Sequence, residues 1–201
     1  MNNFQTNDKW SENVIIVDGE YIDSVAFNLI VNFERMIGRH IPNADMARWL
    51  DCIALDGGVK EGEHENQVIL LHQPENKALQ NFTPSSYSTD LDGKAFKDSL
   101  GEFLLCSYQV EKIVSKEDFI IDILRTAANH KDVKRIMLIA NTDDGSMVDM
   151  VRRALKDADD DKRITVFAMQ PLAGGNFRQE ILGYSLMNAL GIRSEEINSR
   201  M

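Results

Sequence analysis

Five aspartates stand just beyond apolar segments, where side chains of different strands can meet. Asp18 closes the run Asn13-Val-Ile-Ile-Val17, Asp143 and Asp144 follow the apolar stretch Arg135 to Ala140, and Asp118 and Asp122 open the helical pattern after Phe103-Leu-Leu-Cys106. Carboxylates converging from neighbouring strand ends can hold one or two Mg²⁺ or Mn²⁺ ions, which orient a water and offset charge at a phosphoryl group. Each acid also has a structural use. Asp18 before Gly19 suits an Asx-turn, and Ser115-Lys-Glu-Asp118 has the form of a capping box. Asp122, Arg125 and Asn129 continue from Asp118 at helical spacing, as a solvated stripe does. Asp144 suits an N-cap, and Ser146-Met-Val-Asp149 reads as a second capping box. Convergence in space separates a site from a set of caps.

The elements that must position these acids alternate between strand and helix. Val14 to Val17 is an unbroken apolar run of the kind buried on both faces of a parallel sheet. Tyr21 to Arg39 follows as a helix with apolar residues on more than one face, which predicts deep packing. A second helix runs from Met46 to Leu55, with Asn43 or Asp45 as N-cap and Asp56-Gly57-Gly58 as its stop. Further strands are expected at Val68 to His72, within Gly101 to Val110, at Arg135 to Ala140 and at Arg163 to Met169. Helices are expected at Ser115 to Asn129, Gly145 to Asp157 and Phe177 to Leu190. Such alternation predicts a single three-layer α/β/α domain with a mainly parallel, roughly five-stranded sheet and right-handed crossovers. Residues 73–100 form a long polar connection with a helix expected around Leu91 to Leu100; a segment of this length is functional or partly mobile.

Composition narrows the classes. A chain of 201 residues fits one domain that buries roughly 70 per cent of its unfolded surface. Lysine and arginine number 22 and the acids 32, a net charge of −10, which repels a polyphosphate at long range and leaves nucleic acid only a local basic patch to bind. The first twelve residues read as a short polar tail with neither a basic nor an apolar leader region, and no apolar run approaches the ~20 residues that span a bilayer. Cys52 and Cys106 sit among apolar neighbours, as small core residues do. These features predict a cytoplasmic protein without membrane contact. His40, His64, His72 and His130 are scattered, with no zinc spacing. Phosphate-cradling glycine motifs are absent, and so is a Gly-x-Ser-x-Gly elbow.

The order of three stretches is similar to the NYN/PIN-like metal-dependent nuclease superfamily. They are Ile15-Ile-Val-Asp-Gly-Glu20, Glu117-Asp-Phe-Ile-Ile-Asp122 and Ile136-Met-Leu-Ile-Ala-Asn-Thr-Asp-Asp-Gly145, spread over residues 13–169. The resemblance implies a Mg²⁺- or Mn²⁺-dependent ribonuclease. Asp18, Asp118, Asp122 and Asp144 would be its catalytic acids, and Asp18, Asp122 and Asp144 would hold the metal. Thr142 stands where the first aspartate of the family's later turn belongs. Arg152 and Arg153, with Lys156 on the same helix, would touch RNA phosphate, or serve only as last-turn cations. Homo-oligomerisation stays open. Two rivals accompany the nuclease: a binding or assembly module that keeps the fold without the chemistry, and a phosphohydrolase with Asp18 as nucleophile. The latter needs a second acid two residues on, for which Glu20 is an imperfect fit, and a supporting lysine that the sequence does not place.

Overall fold

A computed structural model describes residues 9–199. Strand β1 (Asn13–Asp18) lies at the middle of a seven-stranded sheet, flanked by β3 (Glu65–His72) and β7 (Arg135–Ile139). Outward from β3 come β6 (Gly101–Gln109) and β5 (Ala95–Asp98); outward from β7 come β8 (Arg163–Ala168) and β9 (Arg178–Ile181). Only β5 runs antiparallel. The fold is therefore α/β with a mostly parallel central sheet. Taken in chain order, the six parallel strands lie 3-2-1-4-5-6, so the direction of winding reverses between β1 and β7. Crevices at such a reversal lie beyond the carboxyl ends of the strands.

Alternate residues of β1 serve opposite cores, because successive strand side chains point to opposite faces. Ile15 and Val17 join a cluster with α1 (Gly19–Ile37), α2 (Met46–Asp56) and α5 (Leu182–Ala189). Val14 and Ile16 join another with α3 (Lys116–Asn129) and α4 (Gly145–Ala154). Trp10 is buried in the second cluster, so the polar N-terminal segment docks at least from that residue; Met1 to Asp8 of the expected tail lie outside the described residues. A short α6 (Ser194–Asn198) ends the described chain, its Glu196 held by Arg39 at 2.7 Å. No helix among the described residues is long and apolar enough to cross a membrane.

Three expectations need correction. The sheet has seven strands rather than about five, and both additions are edge strands. Arg178–Ile181, expected as the first turn of the last helix, instead pairs with β8, and the helix begins only at Leu182. Ala95–Asp98, expected within a helix, forms a hairpin with β6. Its return demands glycine: Gly101 has φ 105°, and a β-carbon there would meet the His64 carbonyl oxygen at 2.2 Å. Third, α1 is not packed all round. Its inner face is buried, but Phe27 is 54% and Met36 39% exposed.

The long connection is anchored rather than loose. Asp23 of α1 accepts hydrogen bonds from the backbone amides of Gln80 and Asn81. Beyond them, β4 (Phe82–Thr83) pairs with β2 (Ala44–Asp45), and a single π-turn covers Tyr87–Leu91. Tyr87 stacks on His72 with ring centroids 4.0 Å apart.

Candidate functional site

Asp18 is delivered by β1 to the carboxyl edge of the sheet, as its place after an apolar strand requires, but it arrives almost wholly buried at 3% exposure. It is the N-cap of α1, accepting the Tyr21 amide at 3.1 Å. Lys116, the first residue of α3, places its ammonium 2.8 Å from Asp18 Oδ1 and 2.9 Å from Glu20 Oε2. Glu20 also accepts the Gln73 amide at 2.6 Å and the Asn76 side chain at 2.9 Å. One lysine thus ties the end of β1 to the start of α3 and, through Glu20, to the start of the long connection.

Burial governs the electrostatics of this cluster. Loss of water pushes the Asp18 carboxyl up from its ordinary value, against the pull of Lys116 and the Tyr21 amide. For Lys116, burial alone lowers the ammonium, but the attraction and hydrogen bonds of Asp18 and Glu20 outweigh it and hold it above its usual range. Glu20 also feels desolvation, yet its hydrogen bonds to Gln73, Lys116 and Asn76 carry its carboxyl below the usual value.

Gly19 has a packing role. A β-carbon at this position would lie 2.2 Å from the Tyr87 hydroxyl and 3.0 Å from the Leu71 carbonyl oxygen, so the Asp-Gly pair combines a helix cap with a close approach.

The remaining candidate acids lie elsewhere. Asp118 is exposed and donates its amide to the N-cap Ser115 Oγ at 3.1 Å, but its carboxylate accepts the Ser115 hydroxyl at 2.8 Å instead of the backbone amide, so only half of the expected capping box forms. The side chain of Asp122 is 68% exposed and paired with Arg125 at 3.3 Å. Asp144 is exposed and caps α4 through the Ser146 amide at 3.0 Å. The expected metal set of Asp18, Asp122 and Asp144 is not assembled: among the described residues no three His, Cys, Asp or Glu side chains are grouped to hold a metal ion. The donor set does not fit Mg²⁺ or Mn²⁺, which need several oxygens on one centre. Arg152 and Arg153 also part company. Arg153 lines a groove between α3 and α4 with Asp118, Asp122 and Arg125, where two acids face two arginines. Arg152 lines a different crevice.

That crevice, of about 490 Å³, opens beyond the ends of β7 and β8, beside the winding reversal. Thr142, Asp143, Asp149, Arg152, Gln170 and Leu172 line it. Asp143 accepts the Tyr21 hydroxyl at 3.3 Å, so Tyr21 bonds through its amide to Asp18 and through its hydroxyl to Asp143. Arg152 is clamped by Asp149 at 2.9 Å and by the carbonyls of Ala173 and Gly174. Thr142 is 4% exposed and its hydroxyl oxygen has no hydrogen-bond partner among the described residues.

Sequence reasoning missed Lys116 and Tyr21, the two residues that connect these parts. Lys116 sits inside the capping box that was read for its serine and acid. Its position at the start of the helix after a strand was the usable signal, since that places an ammonium at the carboxyl edge of the sheet.

The chain belongs to a family of unknown function (DUF6621), whose model matches residues 7–197. No curated protein and no solved structure matches it.

Proposed function

We propose that this protein is a PIN/NYN-like three-layer α/β domain that has given up metal chemistry and serves as a binding module, with its ligand in the crevice beyond β7 and β8. The observation that carries the reading is the ion pair of Lys116 with Asp18 and Glu20. A metal centre at the end of β1 needs a carboxylate facing solvent with further acids beside it; here the carboxylate is sealed under a cation that already balances it. The exposed settings of Asp118, Asp122 and Asp144 support the same reading, since each is occupied by a cap or a surface pair. A ligand site in the crevice agrees with the general place of binding in doubly wound sheets.

An aspartate-nucleophile phosphohydrolase is the second reading, because Lys116 supplies the lysine it requires. The nucleophile would have to reach a phosphoryl group in line, and Asp18 at 3% exposure offers no such approach.

The test is to incubate purified protein with single-stranded RNA and Mn²⁺, and separately with p-nitrophenyl phosphate and Mg²⁺, beside Asp18→Asn. A binding module gives turnover of neither substrate. Mn²⁺-stimulated RNA cleavage that is lost in Asp18→Asn restores the ribonuclease, and phosphate release lost in the same variant establishes the phosphohydrolase.

A further inference from the structure

We propose that the groove between α1 and the long connection binds a neutral sugar ring, free or at the end of a glycan. The site is separate from the crevice beyond β7 and β8 and does not rest on what that crevice holds.

The groove encloses about 540 Å³, within the roughly 300–1,000 Å³ usual for small-molecule sites. Its lining includes a polar group that the chain leaves without a partner. Tyr87 is 2% exposed, its ring stacked on His72. A buried tyrosine ordinarily finds a partner for its hydroxyl. Tyr87 forms its hydrogen bonds through its backbone, and its hydroxyl has no partner among the described residues. The hydroxyl is not sealed either, because the sealed side-chain oxygens without a partner are Asp51 Oδ1 and Thr142 Oγ1. Tyr87 lines the groove, so this hydroxyl is the part of it that a ligand can reach. Burial, then the charges of Glu20, Asp23 and Asp18, push the phenol up and keep it a donor at neutral pH.

The rest of the lining selects a ligand that is uncharged and rich in hydroxyls. Glu20 already holds three donors from the chain, the Gln73 amide, Asn76 and Lys116. Asp23 holds the amides of Gln80 and Asn81 and the Asn81 side chain. Neither carboxylate is left bare for a cation, and both repel an anion. Three side-chain amides spend their NH₂ groups on the chain: Asn76 on Glu20 at 2.9 Å, Asn81 on Asp23 at 3.1 Å and Gln80 on the Ala78 carbonyl at 3.4 Å. Their oxygens accept from no described residue, and all three residues line the groove. The ligand must therefore accept from Tyr87 and donate to amide oxygens, as sugar hydroxyls do. Phe27, one turn beyond Asp23 and 54% exposed, supplies a ring on which the C–H face of a pyranose packs.

The ¹⁵N-labelled full chain is titrated with glucose, galactose, mannose and N-acetylglucosamine, with maltose, cellobiose and lactose, and with adenine and agmatine as a stacking base and a cation. At least one sugar is expected to shift the amide signals of Ser24, Phe27, Gln80 and Asn81 saturably, leaving Leu172 of the other crevice unmoved. Tyr87→Phe should weaken that binding about fivefold and Phe27→Ala about tenfold, whereas Tyr184→Phe, an exposed tyrosine on α5, leaves it within error. Equal binding of a monosaccharide and its disaccharide identifies a free sugar; binding of a disaccharide alone identifies a glycan end. If Tyr87→Phe folds poorly by circular dichroism, Phe27→Ala carries the comparison. The proposal is overturned if no sugar moves these signals at millimolar concentration, if adenine or agmatine does so in their place, or if Tyr184→Phe weakens binding as much as Tyr87→Phe. RNA cleavage and phosphate release are read in their own assay, so failure here leaves the binding-module reading standing.

Discussion

Lys116 Nζ stands 2.8 Å from Asp18 Oδ1, joining the end of the central strand to the first turn of a helix 98 positions later in the chain. Their side chains are only 12% and 4% exposed, so neither charge is shared with bulk water. Removing one member of such a pair leaves the other buried and uncompensated, at a cost of about 3–5 kcal/mol. Lys116→Met should therefore lower the midpoint of urea unfolding sharply. Asp18→Asn combined with Lys116→Met should recover much of the loss, since the amide can still cap α1. Equal stability of wild type and Lys116→Met would show that the pair is not structural.

Gly19 and Tyr87 form a second dependent pair. In Gly19→Ala the new methyl would collide with the Tyr87 hydroxyl and crowd the Leu71 carbonyl. Overpacking of this kind costs about 1–3 kcal/mol. Adding Tyr87→Phe removes the nearest atom and should restore part of the thermal midpoint; no recovery would place the strain in the backbone instead.

Asp51 sets a pH dependence. Its Oδ1 is buried without a hydrogen-bond donor, and desolvation, followed by the neighbouring carboxyls of Asp98 and Asp45, pushes it up to about 7. Two carboxylates cannot donate to one another, so a shared proton supplies the missing donor. Between the unfolded value of 3.8 and about 7 the folded state holds a proton that the unfolded chain releases, and stability falls as pH rises through that window. Asp51→Asn should flatten this part of the curve and raise the thermal midpoint at pH 8. A wild-type midpoint that climbs steadily from pH 5 to 7, unchanged in slope by the substitution, would refute the assignment.

Asp23 anchors the long connection through the amides of Gln80 and Asn81. Asp23→Ala should speed hydrogen exchange at those two amides by an order of magnitude or more and leave β1 protected, because local opening is separable from global unfolding. Uniform acceleration across the sheet would mean that the loop is part of the main cooperative unit.

Much of this architecture is legible in the sequence because it rests on local patterns. The unbroken run Val14 to Val17 reads as a strand buried on both faces, and the five expected strands occupy the middle of the sheet. The edge strands are illegible for a physical reason. Arg178–Ile181 and Ala95–Asp98 are short and partly exposed, and their identity comes from a partner strand rather than from their own periodicity. The caps at Asp45, Ser115 and Asp144 could be read, since capping depends on residues two or three apart, whereas Asp18, read as an Asx-turn, is the N-cap of α1. Whether those acids converge could not, because that depends on contacts such as Lys116 with Asp18 and Tyr21 with Asp143, across 98 and 122 positions.

The central claim, that Asp18 belongs to a buried ion pair and not to a metal centre, is tested most directly by titrating Mn²⁺ into ¹⁵N-labelled protein and following paramagnetic broadening of the amide signals. A sealed Asp18 predicts that Gly19, Glu20 and Tyr21 broaden no more than other buried amides. Selective loss of those three signals together with Asp143 and Asp144 at low Mn²⁺, abolished by Asp18→Asn, would contradict it.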